Sequence, residues 1–169
     1  MKCDIQDVIT DIRATPGFQN QIDAFILSAL RFVFNIEATD SNKDNLSYNE
    51  LLQIASIFSM SGAYEDKRLA YMIAIYIWLM QHKNNPELIE AVEVILSRLS
   101  NFPAVTLLHS MISPDNVSIS NNLFTQLEIL GKRSINSSPF LKNLVLTDFQ
   151  KQLWDYLDNN NSVSFSAPT

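Results

Sequence analysis

Leu69-Ala70-Tyr71-Met72-Ile73-Ala74-Ile75-Tyr76-Ile77-Trp78-Leu79-Met80 is an uncharged apolar run of twelve residues, and what it forms decides the fold. A helix that crosses a bilayer needs about twenty apolar residues, whereas a run of roughly 10–14 belongs to a buried core helix. Lys67-Arg68 before the run and Gln81-His82-Lys83 after it mark solvated ends. The run is therefore expected as a central helix covered on most sides by its neighbours, with no membrane partner.

Working towards the N-terminus, Ile22, Phe25, Ile26, Ala29, Leu30 and Val33 form a wide apolar stripe from Gln19 to about Phe34, the pattern of a core-facing helix. Ile5, Val8, Ile9 and Ile12 repeat with helical spacing before it, and Pro16-Gly17 ends that first helix. The polar stretch Ala38 to Asn45 has no periodicity. Ser47-x-x-Glu50 then reads as a capping box opening a helix through Leu51-Leu52 that ends near Met60-Ser61-Gly62.

Towards the C-terminus, Asn85-Pro86 reads as a cap followed by proline at the first helical position, with Leu88, Val92, Ile95 and Leu99 on one face. Asn101-Phe102-Pro103 interrupts it, and a short helix runs through Leu107, Leu108 and Met111 to Ser113-Pro114. Leu123, Phe124, Leu127 and Leu130 define a further helix for which Gly131 is the expected stop. Ser134 to Pro139 is expected as a linker. The reading for residues 1–139 is an all-α accessory domain, a helical bundle or stacked helical hairpins, because connections this short make antiparallel neighbours.

Hydrophobic residues are 47% of the 169-residue chain and charged residues 18%, with ten Phe, so a packed core is expected and disorder throughout is excluded. The formal net charge is −6, which repels a phosphate backbone and argues against nucleic-acid binding by this region alone. Cys3 is the single cysteine and can form no internal disulfide; with only His82 and His109 there is no zinc spacing. The N-terminus carries no signal-peptide pattern, and a reducing, cytoplasmic location is expected. His82 and His109 have no neighbouring nucleophile or base arrangement and read as helix-end or surface residues. Glu87, Glu90 and Glu93 recur with a three-residue spacing, but no Glu-x-x-His accompanies them, and Glu87 suits the positive end of a helix. No enzyme constellation is present.

Residues 140–169 read differently. Phe149, Leu153, Tyr156 and Leu157 make one apolar helical face, Asp158 to Asn161 make a polar turn, and Val163 and Phe165 alternate with serines as in a strand. The chain then runs Ser166-Ala167-Pro168-Thr169. This order resembles the opening of the first, RecA-like motor domain of DEAD/DEAH-box helicases of superfamily 2. There a Phe-Gln or similar pair opens a helix, and a strand leads into Ala-x-x-x-x-Gly-Lys-Ser/Thr.

By that resemblance Phe149 and Gln150 would read adenine, since a carboxamide offers one donor and one acceptor. Ala167, Pro168 and Thr169 would begin the phosphate loop, whose backbone N–H groups cradle phosphates while its Lys and hydroxyl serve the phosphates and Mg²⁺. The resemblance implies ATP and Mg²⁺ as cofactors of a full-length parent, DNA or RNA bound through its motor domains, and a protein partner docked on the helical region. It is similar in this to the helicases of Hachiman-type antiphage defence systems. No Gly-Lys-Ser/Thr or acidic metal motif lies within these residues, so the fragment itself is expected to be non-catalytic. Thr147 and Gln150 equally fit Thr-x-x-Gln, a capping box without a ligand. The competing functional class is a stand-alone helical interaction module with no ATPase connection.

Overall fold

Asp4 starts the first helix: its side chain accepts from the Gln6 backbone N–H at 3.1 Å, and α1 runs Ile5–Ala14. The computed structural model describes residues 4–36, 47–81, 87–111, 123–138 and 144–159. Gly17 has φ +82, a left-handed turn that glycine adopts without steric cost, and it delivers the chain into α2 (Phe18–Val33). The Ser47–Glu50 capping box forms as expected. The Ser47 N–H donates to Glu50 Oε2 at 2.8 Å and the Glu50 N–H to Ser47 Oγ at 3.3 Å, opening α3 (Tyr48–Phe58).

α4 (Tyr64–Gln81) contains the apolar run. It packs against α3, α2 and α5 (Glu87–Arg98), and α5 in turn touches α3, α6 (Phe102–Ser110) and α7 (Leu123–Asn136). Ala70, Ile73, Ala74, Ile77 and Trp78 are buried, the alanines leaving room for close helix approach. Tyr71 alone of the run is counted among the exposed large side chains. The core continues through Ile22 and Phe25 of α2, Leu51 and Phe58 of α3, Val92 and Ile95 of α5 and Val105 of α6. A final helix, α8, spans Asp148–Asn159.

The described residues are thus all-α, and among them there is no strand. No helix is long and apolar enough to cross a membrane among the described residues. Phe102 begins a helix just after Asn101, whose side chain accepts from the Ala104 N–H at 3.3 Å, so the Asn101-Phe102-Pro103 break is also a start. The Asn85-Pro86 cap, the expected strand at Val163 to Phe165 and the stop at Ser113-Pro114 lie outside the described residues.

Two expectations are corrected. Gly131 does not stop α7, which continues to Asn136, because the amide of Asn136 pulls the last turn into the fold: its Nδ2 donates to the Leu146 carbonyl at 3.0 Å. Ser134 to Asn136 are therefore helix and not linker. The residues that mark α7 do form a helix, and Leu123, Phe124, Leu127 and Leu130 are all exposed on it. On α6, Leu108 is buried but Leu107 and Met111 are exposed, since so short a helix can turn only one side to α5.

Candidate functional site

The first turn of α8 holds the described residues for which chemistry was expected. Thr147 precedes the helix, and its N–H donates to Gln150 Oε1 at 2.9 Å while the Gln150 N–H donates to Thr147 Oγ1 at 3.2 Å. This reciprocal pair is a capping box. The Gln150 carboxamide therefore spends its oxygen on the helix end. Phe149, one residue earlier, has 59% of its surface exposed. Ala167, Pro168 and Thr169 lie outside the described residues, so the expected ATP-site residues are seen together only as Phe149 and Gln150.

Asp148 anchors this turn to the rest of the fold. Its Oδ1 accepts from Ser100 Oγ at 2.5 Å and from Asn136 Nδ2 at 3.0 Å. Ser100 is fully buried and sits at φ 55 in the turn between α5 and α6, and Asn136 is buried at the end of α7. The segments on either side of residue 139 are also joined through the backbone: Leu146 N–H to Asn136 carbonyl and Ser138 N–H to Leu144 carbonyl, both at 2.8 Å, around an antiparallel bridge of Ser137 with Val145. Burial raises the Asp148 carboxyl, but the Ser100 and Asn136 hydrogen bonds and the positive charges of Lys132 and Lys67 outweigh it and hold its pKa below the usual aspartate value. Beyond this first turn the helix leaves the core, and no residue of α8 is buried.

The chain was compared with protein-family models, with curated proteins and with solved structures. None matches.

Elsewhere the titratable groups serve the architecture. Asp66 of α4 is 3% exposed. Its Oδ1 accepts from Arg13 Nε at 3.2 Å and Nη2 at 2.5 Å, and its Oδ2 from Ser61 Oγ at 2.6 Å. Burial raises its pKa, and the Ser61 and Arg13 contacts bring it below the ordinary value. His109 of α6 meets Glu93 of α5 at 3.1 Å, a pairing across two helices. His82 lies outside the described residues. Among the described residues no three His, Cys, Asp or Glu side chains converge as a metal site.

Two of the surface grooves are lined by described residues. One, about 360 Å³, lies over Ile22, Ile26 and Met72 with Arg13, Glu65 and Arg68 among its lining residues; Asp66 is paired with Arg13. The other, about 310 Å³, lies between Ile12, Phe18, Ile54 and Ile57. Thr15 and Glu50 border the second groove, but the Thr15 hydroxyl donates to the Asp11 carbonyl at 3.2 Å and the Glu50 carboxylate is held in the Ser47 capping box.

Sequence reasoning missed Ser100, Asn136 and Asp148. Each is a single polar residue beside an apolar pattern, and periodicity carries no signal for polar groups that meet from three separate elements. The Thr147–Gln150 box was readable, because its two members stand at the fixed spacing that a helix N-terminus requires.

Proposed function

We propose that the chain is the N-terminal helical region of an ATP-dependent superfamily 2 helicase, with residues from about 140 onward opening its motor domain. The observation that carries this reading is the order of α8, polar turn, alternating Val163 and Phe165, and Ser166-Ala167-Pro168-Thr169. It is supported by α8 beginning one residue before Phe149, so that Phe149 and Gln150 sit side by side and exposed in its first turn. In this reading the helical region is a non-catalytic docking platform for a protein partner, ATP and Mg²⁺ bind the parent, and DNA or RNA is held by the motor domains.

The capping box supplies a clean test. A glutamate at position 150 keeps the acceptor that Thr147 needs and removes the N–H donor that reading adenine requires. In the protein expressed from its native reading frame, a fluorescent ATP analogue with Mg²⁺ is expected to bind the wild type. Gln150→Glu should weaken that binding by about tenfold, the equivalent of about 1.4 kcal/mol for a lost ligand hydrogen bond. An absence of ATP binding by the wild type, or equal affinity in the variant, overturns the assignment.

A second reading, a stand-alone helical interaction module, is favoured by one observation: α7 exposes large apolar side chains along a whole face, and contiguous apolar patches mark interaction sites. The same titration separates the two, because this reading expects no ATP binding at all.

A further inference from the structure

α7 packs inside out. The positions turned towards the bundle are Thr125, Ile129, Lys132, Arg133 and Asn136, half-buried or buried, and Glu128 reaches across to Arg98 of α5. The opposite side carries Leu123, Leu127, Leu130 and Ile135, which are 63%, 56%, 60% and 67% exposed. Between them stand Gly131 and Ser134, both exposed. An amphipathic helix ordinarily turns its apolar stripe to the core; here the polar stripe does so, because Asn136 and Glu128 are held by hydrogen bonds that only the inward orientation provides.

Gly131 sharpens the observation. It lies mid-helix, where glycine weakens the helix relative to alanine, and its φ is not in the left-handed region. A Cβ built there would meet nothing within 4 Å. Among the described residues neither the backbone nor a neighbour uses the missing side chain. A second helix crossing the stripe at this point would use it, since removal of the Cβ lets two backbones approach closely.

We propose that this face is a homodimer interface, with α7 of two copies crossing antiparallel at Gly131. Three features favour a second copy as the occupant. The stripe is balanced about Gly131: Leu127 and Ile135 lie equally far before and after it, so in a two-fold arrangement Leu127 meets the partner's Ile135 and the reverse, as an isologous interface requires. Leu123, Leu127, Leu130, Gly131, Ser134 and Ile135 include no ionised side chain, and Glu128, exposed beside them, is already paired with Arg98, so self-apposition brings no unpaired like charges together despite the net charge of −6. At roughly 100 Å² for each large apolar side chain, the four supply about 400 Å², close to the apolar share of the roughly 800 Å² that each partner gives to a standard interface. The inference goes beyond the helicase reading and does not depend on nucleotide binding.

Sedimentation velocity of the full-length protein, from low micromolar concentration upward, tests it with two variants. The wild type is expected to shift from monomer to dimer. Leu130→Glu, on an exposed helical position, should raise the dissociation constant more than tenfold while circular dichroism stays unchanged. Gly131→Leu has open space around it in the single chain, so the melting temperature of dilute monomer should hold or rise while dimerisation is lost by a similar factor. That opposite movement of stability and association is what a purely structural glycine could not produce. A wild type that remains monomeric throughout, or a dimer indifferent to both variants, overturns the proposal.

Discussion

Arg13 of α1 and Asp66 of α4, fifty-three positions apart, meet through a guanidinium nitrogen 2.5 Å from a carboxylate oxygen. The same guanidinium lies 5.3 Å from the centroid of the Phe58 ring, and Phe58 packs against Phe18 with centroids 6.1 Å apart. One ion pair thus closes the corner where α1, α2, α3 and α4 come together. Removing Arg13 leaves the Asp66 carboxylate, 3% exposed, without its counter-charge, whereas removing Asp66 lets Arg13, 41% exposed, return to water and leaves the Ser61 hydroxyl the longer contact to Gln6 Oε1 at 3.4 Å. Asp66→Ala is expected to lower the unfolding free energy by about 2 kcal/mol and Arg13→Met by about 3 kcal/mol. Urea denaturation with Asp23→Ala as a surface control checks the order; equal losses at Asp66 and Asp23 would contradict it.

Acid should loosen the fold through two carboxylates. Asp66 and Asp148 both have folded-state pKa values below the ordinary aspartate value. Groups depressed in this way contribute stability that is fully present above the unfolded value of about 3.9 and is lost as pH falls through the folded value. The urea midpoint should therefore be flat on this account from neutrality to about pH 5 and fall below about pH 4. An Asp66→Asn, Asp148→Asn double variant is expected to start less stable and to lose less on acidification. A slope identical to that of the wild type would remove these two groups as the cause.

The α8 capping box makes a separable prediction about structure. Gln150→Ala and Thr147→Ala should each destabilise the start of α8 by about 1 kcal/mol, and Gln150→Glu by almost nothing. Amide exchange at the first turn of α8 is the appropriate readout, because no residue of this helix is buried and global unfolding would hardly register the change. Full protection retained in Gln150→Ala would show that the Asp148 contacts alone hold the turn.

Arg98 joins three helices. From the end of α5 its Nη1 donates to Ser56 Oγ of α3 at 2.7 Å, and its Nη2 donates to Glu128 Oε2 of α7 at 2.9 Å. Glu128 is 39% exposed at its side chain, so a double-mutant cycle of Arg98→Met with Glu128→Gln should report a coupling of only about 0.5–1 kcal/mol. Arg98→Met alone should cost more, since it also strips Ser56 of its donor. A single-variant loss no larger than the coupling energy would deny Ser56 any part.

Much of the helical core was legible because it is periodic. The stripe Ile22, Phe25 and Ala29 and the run Leu69 to Met80 announce buried faces through spacing and composition alone, and the Ser47–Glu50 box announces a start through two residues at a fixed interval. The site was only half legible: Phe149 and Gln150 carry a local pattern, but Asp148 between the cap and that pair looks like an ordinary first-turn acid. Its two donors come from Ser100 and Asn136, on turns that no local rule connects.

The amino-acid sequence by itself determined that this chain would be helical and where most of its helices start and stop, since helix periodicity and capping act within a few residues of one another. Only the tertiary structure decided which faces are covered. α7 is the clearest case: its leucines mark a helix but not which side is covered, and hydrogen bonds from Asn136 to Leu146 and from Arg98 to Glu128 turn a largely polar side inward. Apolar burial is non-directional, whereas a buried amide or carboxylate must meet a partner at a definite place, and those partners lie on other elements of the chain.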